Sequence, residues 1–511
     1  MTPMPPVPAL TVVEGSRRLL PYGLAAASGL ALTCAFAPLA LWPLAVLSPA
    51  LLMWLWTRAP TPRAAAWLGF CHGVATFAAG TWWLYISLHG FGGAPIALAL
   101  LLLAALVLLM AAYYAALGYA LHRYFPVRAA WGTLLAMPCA WLLTEWLRGW
   151  FLSGFPWLSL GYSQTDTPLA GLAPVGGVYL VSAAVLLSAG GLVTTLRNRG
   201  ATRGLGLLAL LLPWAAGAVL DRQDWTTAAA DATTVAIVQG AVPQDLKWQD
   251  DHHDATLALY QRLNAQALGA DIVVWPEAAL PDLANNLNDY LANLARAAAA
   301  AHSSVLLGVV RVADDGQTYY NSLLSLSGSF ALYDKQHLVP FGEYFPVPAF
   351  VRSWLRLLSL PYSDFTPGAP RQAPLPAGRL MAAASICYED AFAQALRSSV
   401  RTSDLLVNVT NDAWFGKAGA RYQHLQIARL RSIEARRFQL RAANDGISAI
   451  IDPRGRVLAT APNFEPAVLR GQITARRGDT PYLVWGDAPV LIVAALGVAL
   501  ALLKRRHRAP M

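Results

Sequence analysis

Charge is what this 511-residue sequence has least of: Asp, Glu, Lys and Arg make up 13% of it, against about 25% in an ordinary soluble chain. Apolar side chains reach 56% and the mean hydropathy is +0.42. That balance excludes an ordinary water-soluble protein and points to the membrane. Cysteine is also scarce. Of the four, Cys34, Cys71 and Cys139 fall inside apolar runs, and Cys387 stands alone in the polar part. A disulfide scaffold is therefore excluded. No Cys/His cluster has zinc spacing and no Walker or dinucleotide glycine motif occurs, so neither a metal nor another cofactor is expected. The net charge of +9 arises without a basic stripe or interleaved aromatics, so nucleic acid is not an expected partner.

What is present is a series of long apolar runs. They cover 20–39, 41–56, 64–88, 94–121, 129–151, 174–196 and 204–220, with a last one at 482–503. Runs of roughly 17–25 residues cross a bilayer as helix, so about eight spans are expected. The expected division is a membrane domain over 1–225, a polar domain over 226–477, and a final span with a basic tail over 478–511. The basic residues orient the chain. Arg17 and Arg18, Arg58 and Arg63, Arg123 and Arg128, Arg197 to Arg203, and Lys504 onward fall at alternate ends of the runs. The positive-inside rule then places both termini in the cytoplasm and the polar domain on the outer face. In a bacterium that face is oxidising, which makes the lone thiol of Cys387 conspicuous.

Within 226–477 short apolar runs end abruptly at polar residues and alternate with helical stretches such as 283–301 and 422–439. Strands are expected at 234–238, 271–275, 303–310, 321–326, 330–333, 380–386 and 405–409. This alternation predicts an α/β domain, whose active sites gather at strand ends. Glu277, Lys335 and Cys387 each occupy such an end. A thiolate is the nucleophilic form of cysteine. The helix expected from Glu389 to Ser399 would favour it through its N-terminal dipole. Glu277 is the candidate base and Lys335 the candidate oxyanion stabiliser of an acyl-transfer site without histidine.

Other readings exist for each residue. Cys387 alone reads as a small buried hydrophobe, Glu277 as a first-turn helix acid and Lys335 as a turn residue. A Cys–His site using His337 or His424 is open, although neither lies at a convincing strand end. His252-His253 reads as a solvated helix face.

Taken together, "VVWPEAAL" around Glu277, "YDKQHLVPFGEYFP" around Lys335 and "SICYEDAF" around Cys387 resemble the nitrilase superfamily. Its carbon–nitrogen hydrolases carry Glu, Lys and Cys in that chain order on an α-β-β-α sandwich. With the membrane spans, and with "EWLRGW", "GFPWLSLGYSQ" and "NVTNDAWFG", the chain resembles the apolipoprotein N-acyltransferase family of Gram-negative bacteria. The resemblance implies a multi-pass inner-membrane enzyme with a periplasmic catalytic domain, and a monomer is expected. The acyl chain would come from the sn-1 position of a phospholipid such as phosphatidylethanolamine. It would pass through a thioester on Cys387 to the α-amino group of a diacylglyceryl apolipoprotein. The resemblance also implies supporting roles for Glu343, Tyr388 and Glu389, and pocket positions for Trp248, Asn321 and Phe341.

The segment 339–365 is unusually apolar for an aqueous domain, and Phe350, Trp354 and Leu358 are candidate bilayer-facing lid residues. Trp414 and Phe415 form a second candidate mobile loop. Two further functions stay open on the sequence: a tethered amidase for small carbon–nitrogen substrates, and a transporter or scaffold with an inactive domain. Seven preceding spans exceed what an anchor needs, and Glu145 is the clearest of few intramembrane charges, which disfavours a solute path.

Overall fold

A computed structural model describes residues 11–344 and 365–506. The candidate lid residues Phe350, Trp354 and Leu358 lie outside that range. The N-terminal half is helical: α1 (Thr11–Thr33), α2 (Leu44–Arg58), α3 (Pro62–Thr81), α4 (Ile96–Tyr124), α5 (Met137–Arg148), α6 (Ala173–Arg197) and α7 (Gly200–Asp221). Small residues let these helices approach closely, as they must where lipid supplies no hydrophobic drive. A Cβ on Gly69 of α3 would lie 2.1 Å from the Tyr114 carbonyl of α4, and one on Gly118 of α4 would lie 2.4 Å from the Ala65 carbonyl.

Eight spans were expected; among the described residues three helices are long and apolar enough to cross a membrane, at Ile96–Tyr124, Pro168–Arg197 and Gly200–Asp221. Leu19–Thr33, Leu44–Arg58 and Ala488–Lys504 are apolar but shorter. The difference has local causes. The 64–88 run breaks after Thr81 and continues as a π-turn at Ile86–Phe91. The 129–151 run is split into a π-turn, Gly132–Ala136, and the twelve-residue α5. The α6 span is 83% buried, whereas those of α4 and α7 are 22% and 17% buried. Thus α6 is the axis of the bundle and the other two present apolar faces outward.

Two six-stranded sheets follow. The first has the order β12-β1-β2-β3-β4-β5 and the second β11-β10-β9-β8-β7-β6. In the first, β1 (Thr227–Gln239), β2 (Ile272–Val274) and β3 (Ser304–Val312) are parallel, flanked by antiparallel β4 (Tyr319–Ser327), β5 (Ser329–Asp334) and β12 (Ala467–Arg477). The second repeats the plan, with parallel β7 (Leu380–Ile386), β8 (Leu405–Thr410) and β9 (Gln439–Ala443) at its centre. Antiparallel β6 (Leu375–Ala377), β10 (Ala449–Ile451) and β11 (Val457–Thr460) flank them.

The inner faces meet through Val235, Ile237, Ile272, Val274 and Leu306 on one side and Ala382, Ala384, Ile386, Val407 and Leu440 on the other. Helices α8 (Asp250–Ala267) and α9 (Asn288–Ala300) cover the outer face of the first sheet. Helix Ala420–Ala435 lies over the second sheet and packs Ile427, Leu430 and Ile433 into the core of the membrane bundle. The result is the expected four-layer sandwich, with its last layer shared with the membrane domain. The expected helix 422–439 runs too far: Arg436 at φ +50° ends it, and Gln439 pairs in β9 with Leu406.

Candidate active site

Three of the candidate residues leave the sheets at one end of the sandwich. Glu277 follows β2 on a turn whose next residue, Ala278, has φ +43°. This turn rests on Gly308, where a Cβ would lie 2.6 Å from the Glu277 Cα. The carboxylate is almost fully buried. Its Oε1 accepts from Asn321 Nδ2 at 2.7 Å and from Lys335 Nζ at 3.2 Å, and its Oε2 accepts from the Asn411 amide at 2.9 Å.

Lys335 leaves β5 and is 1% exposed. It donates at 2.8 Å to Glu343 Oε1, which also accepts from Asn321 Nδ2 at 3.1 Å. Burial disfavours the ammonium, yet the carboxylates of Glu277 and Glu343 and the nearby Cys387 hold its pKa well above the ordinary lysine value. Glu343 is fixed in turn by the Val339 amide, which donates to its Oε2 at 2.8 Å.

Cys387 leaves β7 at φ +52°, a left-handed conformation that costs energy at a non-glycine residue. Its backbone is held from below. His424 Nε2 bonds its carbonyl at 3.1 Å, and His424 Nδ1 bonds Asp412 at 2.9 Å. Arg441, completely buried, donates to Asp412 Oδ2 at 2.9 Å and to Asn408 Oδ1 at 2.6 Å. Burial first, then the charge of Glu277, push the Cys387 thiol well above the ordinary cysteine value, and Lys335 pulls the other way. The charges of Glu277 and Asp412 oppose a thiolate here, and that of Lys335 favours it.

The helix expected from Glu389 to Ser399 starts later than its sequence predicts. Residues Cys387–Ala391 form a short 3₁₀ turn and the following helix begins only at Ala393. The dipole that was to stabilise a thiolate is thus displaced, and burial dominates.

Glu389 ties the two sheets together. Its carboxylate accepts from the amides of Ile386, Gln336 and His337 at 2.7, 2.6 and 3.1 Å, and from the Tyr333 hydroxyl at 3.1 Å. It thereby clamps the loop after Lys335 onto the turn before Cys387. Burial pushes its pKa up to about 7 against the pull of those backbone donors. Four donors facing one carboxylate favour its ionised form. Tyr388 stacks on Trp157 of the membrane domain at 6.3 Å between ring centroids, and its hydroxyl donates to the Gly154 carbonyl at 3.3 Å.

Trp248 is half exposed, and Phe341 and Trp414 are also exposed. Phe415 packs on Trp83 with ring centroids 4.7 Å apart, and it also meets Trp157 and His424. The Ser87 hydroxyl further donates to the Trp414 carbonyl at 2.8 Å. The alternative Cys–His arrangement does not form: His424 serves the carbonyl of Cys387, and His337 stacks on Phe392 with centroids 3.5 Å apart. Sequence reasoning missed Asn411, Asp412 and Arg441. The stretch "NVTNDAWFG" was the signal for the first two, while Arg441 gives no sign of burial in the sequence.

A buried carboxylate, a shared ammonium and a thiol at the strand ends of an α-β-β-α sandwich define the carbon–nitrogen hydrolase class, and the model of that family matches residues 234–482. The model of the apolipoprotein N-acyltransferase N-terminal domain matches residues 28–191. The apolipoprotein N-acyltransferase of Azotobacter vinelandii is 44% identical over 94% of this chain and 95% of its own. That of Pseudomonas putida is 42% identical over 94% and 96%, and that of Vibrio parahaemolyticus 39% over 93% and 96%. The chain belongs to the apolipoprotein N-acyltransferase family.

Proposed function

We propose that this membrane enzyme moves an acyl chain from the sn-1 position of a phosphatidylethanolamine-like phospholipid to the α-amino group of the N-terminal diacylglyceryl cysteine of apolipoproteins. Cys387 is the nucleophile. As its sulfur attacks the ester carbonyl, the thiol proton passes to Glu277. Lys335 stabilises the resulting oxyanion. Protonating Glu277 loosens its hold on the ammonium, which frees Lys335 at the moment negative charge develops on substrate oxygen. Collapse of the intermediate returns the proton to the departing lysophospholipid and leaves a thioester. The acceptor amine attacks this thioester, Glu277 takes the amine proton, and the departing sulfur is reprotonated. A thioester conserves the activation of the ester and yields readily to an amine. Glu343 and Glu389 hold Lys335 and the nucleophile turn in register.

The observation that carries this reading is the buried cluster in which Lys335 and Asn321 both donate to Glu277 and Glu343, with Cys387 near enough to act on the charge of Lys335. The division of the chain at 225/226 and 477/478, cytoplasmic termini and a periplasmic catalytic domain in the inner membrane belong to the same proposal, as does a monomeric state. Trp248, Phe341 and Trp414 line the entry for lipid. Incubation with phospholipid labelled in its sn-1 chain tests the reading: a hydroxylamine-sensitive label on Cys387, transferable to a diacylglyceryl peptide, is expected. Release of free fatty acid without a Cys387 adduct would contradict it.

A further inference from the structure

The turn 149–154, which leaves α5 in the membrane domain, is strained. Leu152, Ser153 and Gly154 have φ values of +55°, +72° and +77° in succession, a conformation that L side chains rarely adopt. Arg148 closes the turn on both sides. Its carbonyl accepts from the Phe155 amide at 2.8 Å, and its guanidinium donates to the carbonyls of Phe155 and Trp157 at 2.6 Å. The turn has no slack, since a Cβ on Gly154 would lie 2.2 Å from the Gly149 carbonyl.

Two side chains of the catalytic domain reach across to this one turn. The Tyr388 hydroxyl donates to the Gly154 carbonyl at 3.3 Å. The Tyr344 hydroxyl and Ser153 Oγ are hydrogen-bonded at 3.0 Å. Each of the two neighbours a residue of the reactive cluster: Tyr388 follows Cys387 and Tyr344 follows Glu343, in the same loop as Lys335. One segment follows β5 of the first sheet and the other follows β7 of the second. Glu277, by contrast, is held by Asn321, Lys335 and Asn411, all within the catalytic domain.

We infer that the strained turn Leu152–Gly154 is a positioning element supplied by the membrane domain, fixing the segments that carry Lys335, Glu343 and Cys387 relative to one another. The inference rests on the catalytic roles proposed above. The membrane domain is then part of the active-site scaffold as well as a route for lipid. The turn touches no reacting atom, so its effect falls on the rate of the chemical step and not on lipid binding.

The test uses the full-length protein in phospholipid–detergent micelles and measures single-turnover acylation of Cys387 against phospholipid concentration. Gly154→Ala is expected to lower the limiting acylation rate about 10²-fold, with half-saturation changed less than about twofold. Ser153→Ala and Tyr344→Phe remove the same bond from its two ends. Each is expected to cost about three- to tenfold, and the double variant no more than the worse single one. An unchanged limiting rate in Gly154→Ala with the wild-type melting temperature, or a change in half-saturation alone, overturns the inference. If Gly154→Ala does not fold, the paired variants decide: multiplied losses, or none, overturn it. Acyl label persisting in Cys387→Ser would instead overturn the catalytic reading beneath it.

Discussion

Past the ends of β2 and β5 the first sheet gathers two carboxylates and an ammonium that share hydrogen bonds in one buried cluster. Past the end of β7 the second sheet presents a thiol whose pKa burial and the charge of Glu277 push up. The second sheet has charges too, but they lie behind the thiol. Asp412 bonds both His424 and Arg441, and His424 bonds the Cys387 carbonyl. Burial raises the Asp412 carboxyl, yet Arg441 and His424 together hold it below the ordinary range. One sheet therefore manages charge during the reaction, and the other holds a strained backbone still. A nearly equivalent pair of folds has divided the labour of one active site.

That contrast can be broken from either side. Replacing Lys335 with Met strikes the charged sheet hardest. Acylation of Cys387 is expected to fall at least about 10³-fold. Two buried carboxylates left unpaired are expected to cost about 3–5 kcal/mol of stability, read by denaturant unfolding. Glu277→Gln keeps the shape of the side chain but removes the base, and a loss of about 10²–10⁴-fold in acylation is expected with little change in melting temperature. The same two variants should move the Cys387 titration in opposite directions, followed by thiolate absorbance or alkylation rate against pH. Loss of the Glu277 charge lowers the pKa of the thiol, and loss of the Lys335 charge raises it further. Movement in one direction for both would refute the electrostatic account.

The second sheet predicts smaller effects. Glu389→Gln leaves a neutral group facing four donors, and an acylation loss of about tenfold is expected, since each donor keeps at best a weaker acceptor. His424→Gln is expected to keep acylation within about tenfold of wild type, because a glutamine amide can still donate to the Cys387 carbonyl. Loss of several orders of magnitude in His424→Gln would revive a Cys–His mechanism.

Much of this arrangement was legible in the sequence because strand ends are local. The runs 271–275, 330–333 and 380–386 stop where polar residues begin, so Glu277, Lys335 and Cys387 could be placed at the ends of β2, β5 and β7. Leu380–Ile386 was read to the residue. Strands late in the chain were not legible. The stretch of β12, "AVLRGQITARR", carries three arginines and lacks clean alternation, because it lies at the sheet edge and returns to pair with β1 at the start of the domain. The buried Arg441 and the turn Leu152–Gly154 were invisible for the same reason: both depend on partners far away in the chain. The expected helix from Glu389 missed its start, because Cys387–Ala391 form a 3₁₀ turn and the helix begins only at Ala393.

The most direct test is the intact mass of the peptide carrying Cys387 after the full-length protein has met phospholipid without an acceptor. A mass increase of one fatty acid minus water, removed by hydroxylamine and absent from Cys387→Ala, is the predicted result. An unmodified Cys387 peptide from enzyme that still acylates an apolipoprotein amine would contradict the account.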